Sequence, residues 1–136
     1  MNARPFGKML REVEVFRPYD DEIPERLLLE AGAGEAALVP WLEADLLRIA
    51  KCAQTPLGLY ALNRGDSITY ELHGVLVAAT WRRQGLGRWL LGHAIGVTES
   101  KGGRHLLYSG VPARRFFRCV GFIEEPRGLR FDLIPE

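Results

Sequence analysis

At 136 residues the chain has room for one domain with a core sufficient for independent folding, and its 47% hydrophobic and 26% charged residues match an ordinary globular protein. A net charge of +1 argues against a general nucleic-acid binder, and no apolar stretch approaches the ~20 residues a membrane helix needs. Cys52 and Cys119 are too few and too separated for a disulfide framework or a zinc site, and the N-terminus lacks the charged-then-apolar order of a signal peptide, so the expectation is a cytoplasmic protein with reduced thiols, no bound metal, and a monomeric or homodimeric state.

Residues 1–8 read as a loose tail. From Leu10 to Phe16 apolar and polar residues alternate, the period of a half-buried strand. Pro18 and Asp20 close it, and Asp20 can cap a helix carrying Ile23, Leu27 and Leu28. Gly32 and Gly34 break that helix. A second helix is expected from Glu35 to about Leu47, with Leu38, Leu42 and Leu46 at helical spacing and Pro40 in its first turn. Segments 48–54 and 57–63 read as strands joined by a Thr55-Pro56 turn. Arg64-Gly65-Asp66 is a further turn; as an integrin-binding tripeptide it is out of place in a cytosolic chain. Ser67 to Ala79 reads as one long strand with a bulge at Gly74.

A helix from Gly87 to about Lys101 buries the stripe Leu86, Leu90, Ala94 and Val97 and ends at Gly102-Gly103. His105 to Ser109 is a strand. Pro112 opens a helix whose apolar face is Ala113, Phe116, Phe117 and Val120, closed by Gly121. Two short strands flank Pro126-Arg127-Gly128. Trp41, Trp81 and Trp89 read as core residues, and His93 and His105 as ordinary helix and strand residues.

The segment Arg82-Arg83-Gln84-Gly85-Leu86-Gly87 carries the chemistry. Glycines at 85 and 87 let the backbone approach a ligand closely, and the helix N-terminus behind them is a ready anion site. Arg82, Arg83 and Arg88 add charge, an arrangement suited to a pyrophosphate. The P-loop is excluded because no Gly-Lys-Ser/Thr follows, and the dinucleotide fingerprint because the two glycines are only one residue apart.

This segment resembles the coenzyme-A-binding motif of the GNAT acetyltransferase superfamily, R/Q-x-x-G-x-G/A, filled here by Arg82, Gly85 and Gly87. A second signature, A-x-x-x-Y-x-x-x-G-F, is matched by Ala113 through Phe117 to Gly121-Phe122, except that Phe117 stands where the tyrosine belongs. The resemblance is clear from about Ile68 to Phe122. It implies an α/β (α+β) fold of order β-α-α-β-β-β-α-β-α-β-β, a mixed central sheet of about six to seven strands flanked by about four helices. It also implies transfer of an acetyl group from acetyl-CoA, as co-substrate, to an unidentified primary amine.

The cofactor contacts it implies fall on Leu76, Val77 and Ala78 of the strand, on Arg82, Arg83, Gln84, Gly85, Leu86, Gly87 and Arg88 of the loop, and on Phe117. The Val77 N–H is a candidate donor to the thioester carbonyl. Glu71, eleven residues before Arg82, matches the offset of the general-base glutamate in the histone acetyltransferase branch, and His73 on the same face is the second candidate. Phe117 cannot protonate a departing thiolate. Either the thiol leaves unaided, or Tyr108, Ser109 or Cys119 substitutes, or the chain is an acetyl-CoA-binding sensor that regulates a protein partner.

Overall fold

A computed structural model describes residues 13–18, 24–30, 35–53 and 55–133. Among them run β1 (Val13–Phe16), α1 (Glu25–Glu30), α2 (Glu35–Leu42), β2 (Leu46–Cys52), β3 (Thr55–Arg64), β4 (Thr69–Val77), α3 (Leu86–Ser100), β5 (His105–Tyr108), α4 (Arg114–Val120), β6 (Ile123–Glu125) and β7 (Gly128–Asp132). The strands form one seven-stranded sheet in the order β1-β2-β3-β4-β5-β7-β6, so the expected element order and mixed sheet are both present. The expectations for residues 1–12, Asp20, Ile23, Gly32, Gly34 and the side chain of Leu38 fall outside the described residues.

The sheet separates two apolar layers. On one face Tyr60, Leu62, Tyr70 and Leu72 meet Leu86, Leu90, Leu91 and Ala94 of α3 and Phe117 of α4. On the other, Ile49, Leu59 and Ala61 meet Leu27 and Leu28 of α1 and Trp41 of α2. Helix α3 buries Leu91 and Thr98 besides the expected stripe, and Val97 is only half-buried. The Thr98 hydroxyl is satisfied by donating to the Ala94 carbonyl at 2.9 Å.

Beyond shifts of one or two residues at the ends of β3 and β4, three boundaries differ from the sequence reading. The helix expected to reach Leu47 stops at Leu42, and Leu46 and Leu47 belong to β2. Leu42 and Leu46 sit four apart, so the apolar stripe runs unbroken through a turn. Pro40 lies inside α2 rather than in its first turn, removing an N–H from the ladder close to its end. The Asp45 N–H then donates to Asn63 Oδ1 at 2.9 Å, and the Asp45 carboxylate accepts from the Arg64 N–H at 2.8 Å, drawing the chain into the sheet. Second, the β2–β3 turn falls before Thr55, at Ala53 with φ +55°. Pro56 lies within β3 opposite Lys51, where the register shifts between Ala50 and Lys51, a place where a residue without N–H does least harm. Third, Pro112 precedes α4, whose first flanking residue is Ala113 at φ +63°.

The Arg64-Gly65-Asp66 turn is present. Gly65 N–H donates to the Thr69 carbonyl at 2.8 Å, and Asp66 Oδ1 accepts from the N–H groups of Ile68 and Thr69 at 2.9 and 2.8 Å. Those backbone bonds, the Ile68 bond foremost, hold the Asp66 carboxyl below its ordinary pKa.

What positions the site is the pairing of β4 with β5, the one parallel pair among the described strands. It runs only over Thr69, Tyr70 and Glu71 against His105, Leu106 and Leu107. Beyond Glu71 the strands separate: β4 continues to Val77 while β5 ends at Tyr108. The gap opens a wedge whose edge is unpaired backbone.

Candidate active site

Two features of β4 shape this wedge. In its pairing with β3, Leu72 faces Leu62 and Gly74 faces Ala61, which leaves His73 as an extra residue, a β-bulge. Gly74 was expected to mark a bulge, and it does so. The bulge turns His73 and Gly74 toward α2. The His73 ring meets Trp41 edge-on at 4.9 Å, and a Cβ on Gly74 would stand 3.1 Å from the Trp41 ring. Glycine here is what admits the indole.

The second feature is backbone polarity. Val77 pairs with Gly58, and the Ala78 N–H donates to the Leu57 carbonyl at 2.8 Å. In an antiparallel ladder successive residues direct their N–H groups to opposite sides. The Val77 N–H, and that of Val75 two residues earlier, therefore point away from β3 into the wedge. The Val77 carbonyl accepts from Arg82 Nε at 3.1 Å, which ties the motif arginine back onto the strand it follows.

A short 3-10 turn, Ala79–Trp81, leads into the loop. Arg83 takes φ +62° and Gly85 φ +90°, both left-handed, and α3 begins at Leu86. The first bond of the helix runs from the Trp89 N–H to the Gly85 carbonyl at 3.0 Å. The N–H groups of Leu86, Gly87 and Arg88 thus have no carbonyl a turn behind them. No side chain caps this end and no acidic residue sits in the first turn. Nothing lies within 4 Å of a Cβ placed on Gly85. An uncapped helix end facing open space with exposed Arg82, Arg83 and Arg88 around it fits a polyphosphate.

Wedge and loop enclose a cleft of about 670 Å³. Its walls include Trp41, His73, the β4 segment from Gly74 to Val77, Arg82, Arg83, Gly85, Gly87, Arg88, Tyr108, Phe116 and Phe117. The size falls within the range of pockets that enclose cofactors. Phe117 is buried in its wall, 4.1 Å from the Tyr108 ring and 5.2 Å from those of Phe116 and Phe122, centre to centre. The Tyr108 hydroxyl donates to the Pro112 carbonyl at 2.7 Å. Burial raises the Tyr108 pKa, with the Arg114 charge opposing, so this phenol stays protonated. Burial lowers the His73 pKa below the ordinary 6.5 and keeps the imidazole neutral near pH 7.

A smaller cavity of about 240 Å³ adjoins the cleft and is walled by Asn63, Glu71, Leu72, His73, Ser109 and Gly110. His73 and Gly110 belong to both. The two candidate bases are therefore separated: His73 faces the cleft, and Glu71 faces only the smaller cavity.

Of the cofactor residues expected from sequence, Leu76, Val77, Arg82, Arg83, Gly85, Gly87, Arg88 and Phe117 line the cleft. Ala78, Gln84 and Leu86 do not. The Ala78 N–H is committed to Leu57, Gln84 Nε2 turns back to the Thr80 carbonyl at 3.3 Å, and the Leu86 side chain is fully buried in the core, so Leu86 can offer only its backbone N–H. Gly74 and Val75 were not anticipated as lining, and Trp41, read as a core residue, is both buried and part of the wall. Trp41 carried no sequence signal apart from its helical position, since its partner is a bulge on a distant strand. His93 is less ordinary than expected: its Nδ1 shares a 2.6 Å hydrogen bond with the buried Tyr60 hydroxyl, remote from the cleft walls. Among the described residues no group of His, Cys, Asp or Glu could hold a metal ion, and no helix is long and apolar enough to cross a membrane.

Comparison with known proteins agrees with this geometry. A GNAT-family acetyltransferase from Elizabethkingia anophelis, solved with acetyl-CoA bound, superposes with a TM-score of 0.74 at 22% identity, covering 90% of this chain and 99% of that one. The IAA acetyltransferase from Bacillus cereus gives 0.70 at 27% identity over 82% of this chain and 77% of its own. The ribosomal-protein-S18-alanine N-acetyltransferase from Escherichia coli gives 0.70 at 17% identity over 91% and 96%. No curated protein matches in sequence. The family model of the GNAT acetyltransferases matches residues 10–122, and the chain belongs to that family.

Proposed function

We propose that this acetyltransferase moves an acetyl group from acetyl-CoA directly to a primary amine, within one domain spanning residues 1–136. The observation that carries the reading is the wedge between β4 and β5: it opens unpaired strand N–H groups on one side and an uncapped helix N-terminus on the other, within a single cleft. The co-substrate bound to the Elizabethkingia anophelis neighbour supports acetyl-CoA as its occupant.

In this reading the N–H groups of Leu86, Gly87 and Arg88, with Arg83 and Arg88 beside them, hold the pyrophosphate. The Val75 and Val77 N–H groups hold the pantetheine arm and polarise the thioester carbonyl, a role that preorganised backbone donors fill well. His73 takes the proton from the ammonium, because it alone of the two candidate bases lines both cavities, and its lowered pKa favours the neutral imidazole a base requires. The neutral amine nitrogen attacks the carbonyl carbon, the C–S bond breaks, and the coenzyme A sulfur leaves as a thiolate that takes up a proton as the nitrogen sheds its second one to form the amide. Tyr108 is the phenol on the cleft wall, and its proton is held by Pro112 until that bond opens. The exposed thiol of Cys119 suits a reducing compartment, in keeping with a cytoplasmic enzyme.

Phe117 favours one rival, a domain that binds acetyl-CoA and regulates a partner without turnover. A thiol-release assay across a panel of amines separates the two. Transfer is expected, with His73→Ala lowering kcat by about 10²–10⁴-fold at little change in acetyl-CoA affinity. Tight acetyl-CoA binding with no coenzyme A release from any amine would establish the sensor instead.

A further inference from the structure

We propose that the small cavity beside the cleft is the acceptor's head-group site, and that it selects a primary alkylammonium over an α-amino acid. This rests on the transfer reading above and adds the acceptor's chemical class to it. The cavity, about 240 Å³, is smaller than the roughly 300–1,000 Å³ that encloses a whole ligand, so it takes the end of a molecule.

Its polar groups are one carboxylate, Glu71, one imidazole, His73, the Asn63 amide and the Ser109 hydroxyl; among the described residues no lysine or arginine lines it. Asn63 and Glu71 face each other across β3 and β4. Asn63 Oδ1 accepts from the Asp45 N–H, so the amide is oriented by the backbone. Among the described residues Glu71 makes no hydrogen bond or ion pair, and its exposed position leaves the carboxylate available to a ligand. An ammonium donates three hydrogens and seeks acceptors, and Glu71 and Ser109 provide them in the wall of a cavity that shares His73 and Gly110 with the cleft. An α-amino acid would bring its own carboxylate within two bonds of the nitrogen. With Glu71 in the wall and no lysine or arginine among the lining residues, the like charges repel. A free aliphatic diamine and a lysine side chain present the same head group.

The test has a binding arm and a turnover arm on the full chain. The His73 ring signals, assigned by comparison with His73→Gln, are followed by NMR during titration with 1,4-diaminobutane, with Nα-acetyl-lysine amide, and with alanine. Saturable shifts are expected with both alkylamines, at least tenfold tighter than with alanine, and abolished in Glu71→Gln. No saturable shift, equal or tighter alanine binding, or unchanged affinity in a folded Glu71→Gln chain would overturn the head-group site. In the turnover arm, coenzyme A release is expected at a kcat/KM at least tenfold higher with the alkylamines than with alanine, with the acceptor KM raised tenfold or more in Glu71→Gln. The preference between the diamine and the lysine derivative identifies the source of the head group. Alkylamine binding without release supports the site while overturning the transfer reading, so the two fail separately.

Discussion

A methyl group added at Gly85 and one added at Gly87 meet different constraints, although both glycines belong to one motif. At Gly85 there is open space around the new Cβ, but φ is +90°, a conformation that costs an L-residue roughly 1–2 kcal/mol. At Gly87 the backbone is helical and the Cβ would make ordinary contacts of 3.6 Å with Val77 Cγ2 and 3.8 Å with the Phe116 ring. Gly85→Ala is expected to destabilise the ligand-free chain by about 1 kcal/mol and to weaken acetyl-CoA binding, whereas Gly87→Ala should leave stability nearly unchanged. Urea denaturation with calorimetric titration checks both. A titration at the same scale concerns His73 and His93. Burial lowers both pKa values below 6.5, with the Arg48 charge adding to the effect at His93. Between each folded value and 6.5 the unfolded chain binds more protons, so stability falls as pH drops below about 6.5 and levels off once the folded groups also protonate. Urea midpoints at about pH 5.5 and about pH 7.5 should differ in that direction, and His73→Gln should reduce the difference. If His73 is the base, the acid limb of kcat/KM lies below pH 6.5 and disappears in that variant.

Helix α3 meets β3 so closely that only glycine fits between them at one point. A Cβ on Gly58 would lie 2.5 Å from the Leu76 carbonyl oxygen and 2.7 Å from Leu90 Cδ1. The first neighbour is backbone and cannot rotate away. Gly58→Ala is expected to cost about 1–3 kcal/mol, as overpacking of a core does, and to shift Leu76 and Val77 along with the N–H groups that line the wedge. The checks are a lower urea midpoint and a raised KM for acetyl-CoA; an unchanged KM in a destabilised chain would detach the helix packing from the site. Helix α3 was legible in the sequence, because its apolar stripe has a helical period and Gly102-Gly103 close it. The end of α2 was not, since Leu42 and Leu46 continue a helical spacing that only the reciprocal bonds between Asp45 and the Asn63–Arg64 end of β3 interrupt. Those partners lie eighteen and nineteen residues away, beyond the reach of local pattern.

Across the molecule the same contrast holds for the site. The loop from Arg82 to Arg88 is contiguous, so spacing and resemblance exposed it. Trp41 comes from α2, His73 from a bulge in β4 and Tyr108 from the end of β5, and only the sheet order brings them together. The loop also carries the charge. The chain as a whole is near neutral at +1, yet Arg82, Arg83 and Arg88 surround one uncapped helix end. Binding of acetyl-CoA should therefore combine a salt-sensitive attraction at the exposed arginines with a less screened one at the backbone N–H groups. Ligand that binds only the folded chain stabilises it, by about 2.7 kcal/mol at a hundredfold excess over Kd, so a clear rise in Tm is expected on adding acetyl-CoA. Raising the ionic strength from about 0.05 M to about 0.5 M should weaken binding several-fold. Arg88→Ala should flatten that salt dependence while retaining binding through the loop backbone. Full salt sensitivity in the Arg88 variant would move the phosphate contact to Arg82 or Arg83, and a Tm indifferent to acetyl-CoA would remove the loop from its assigned role.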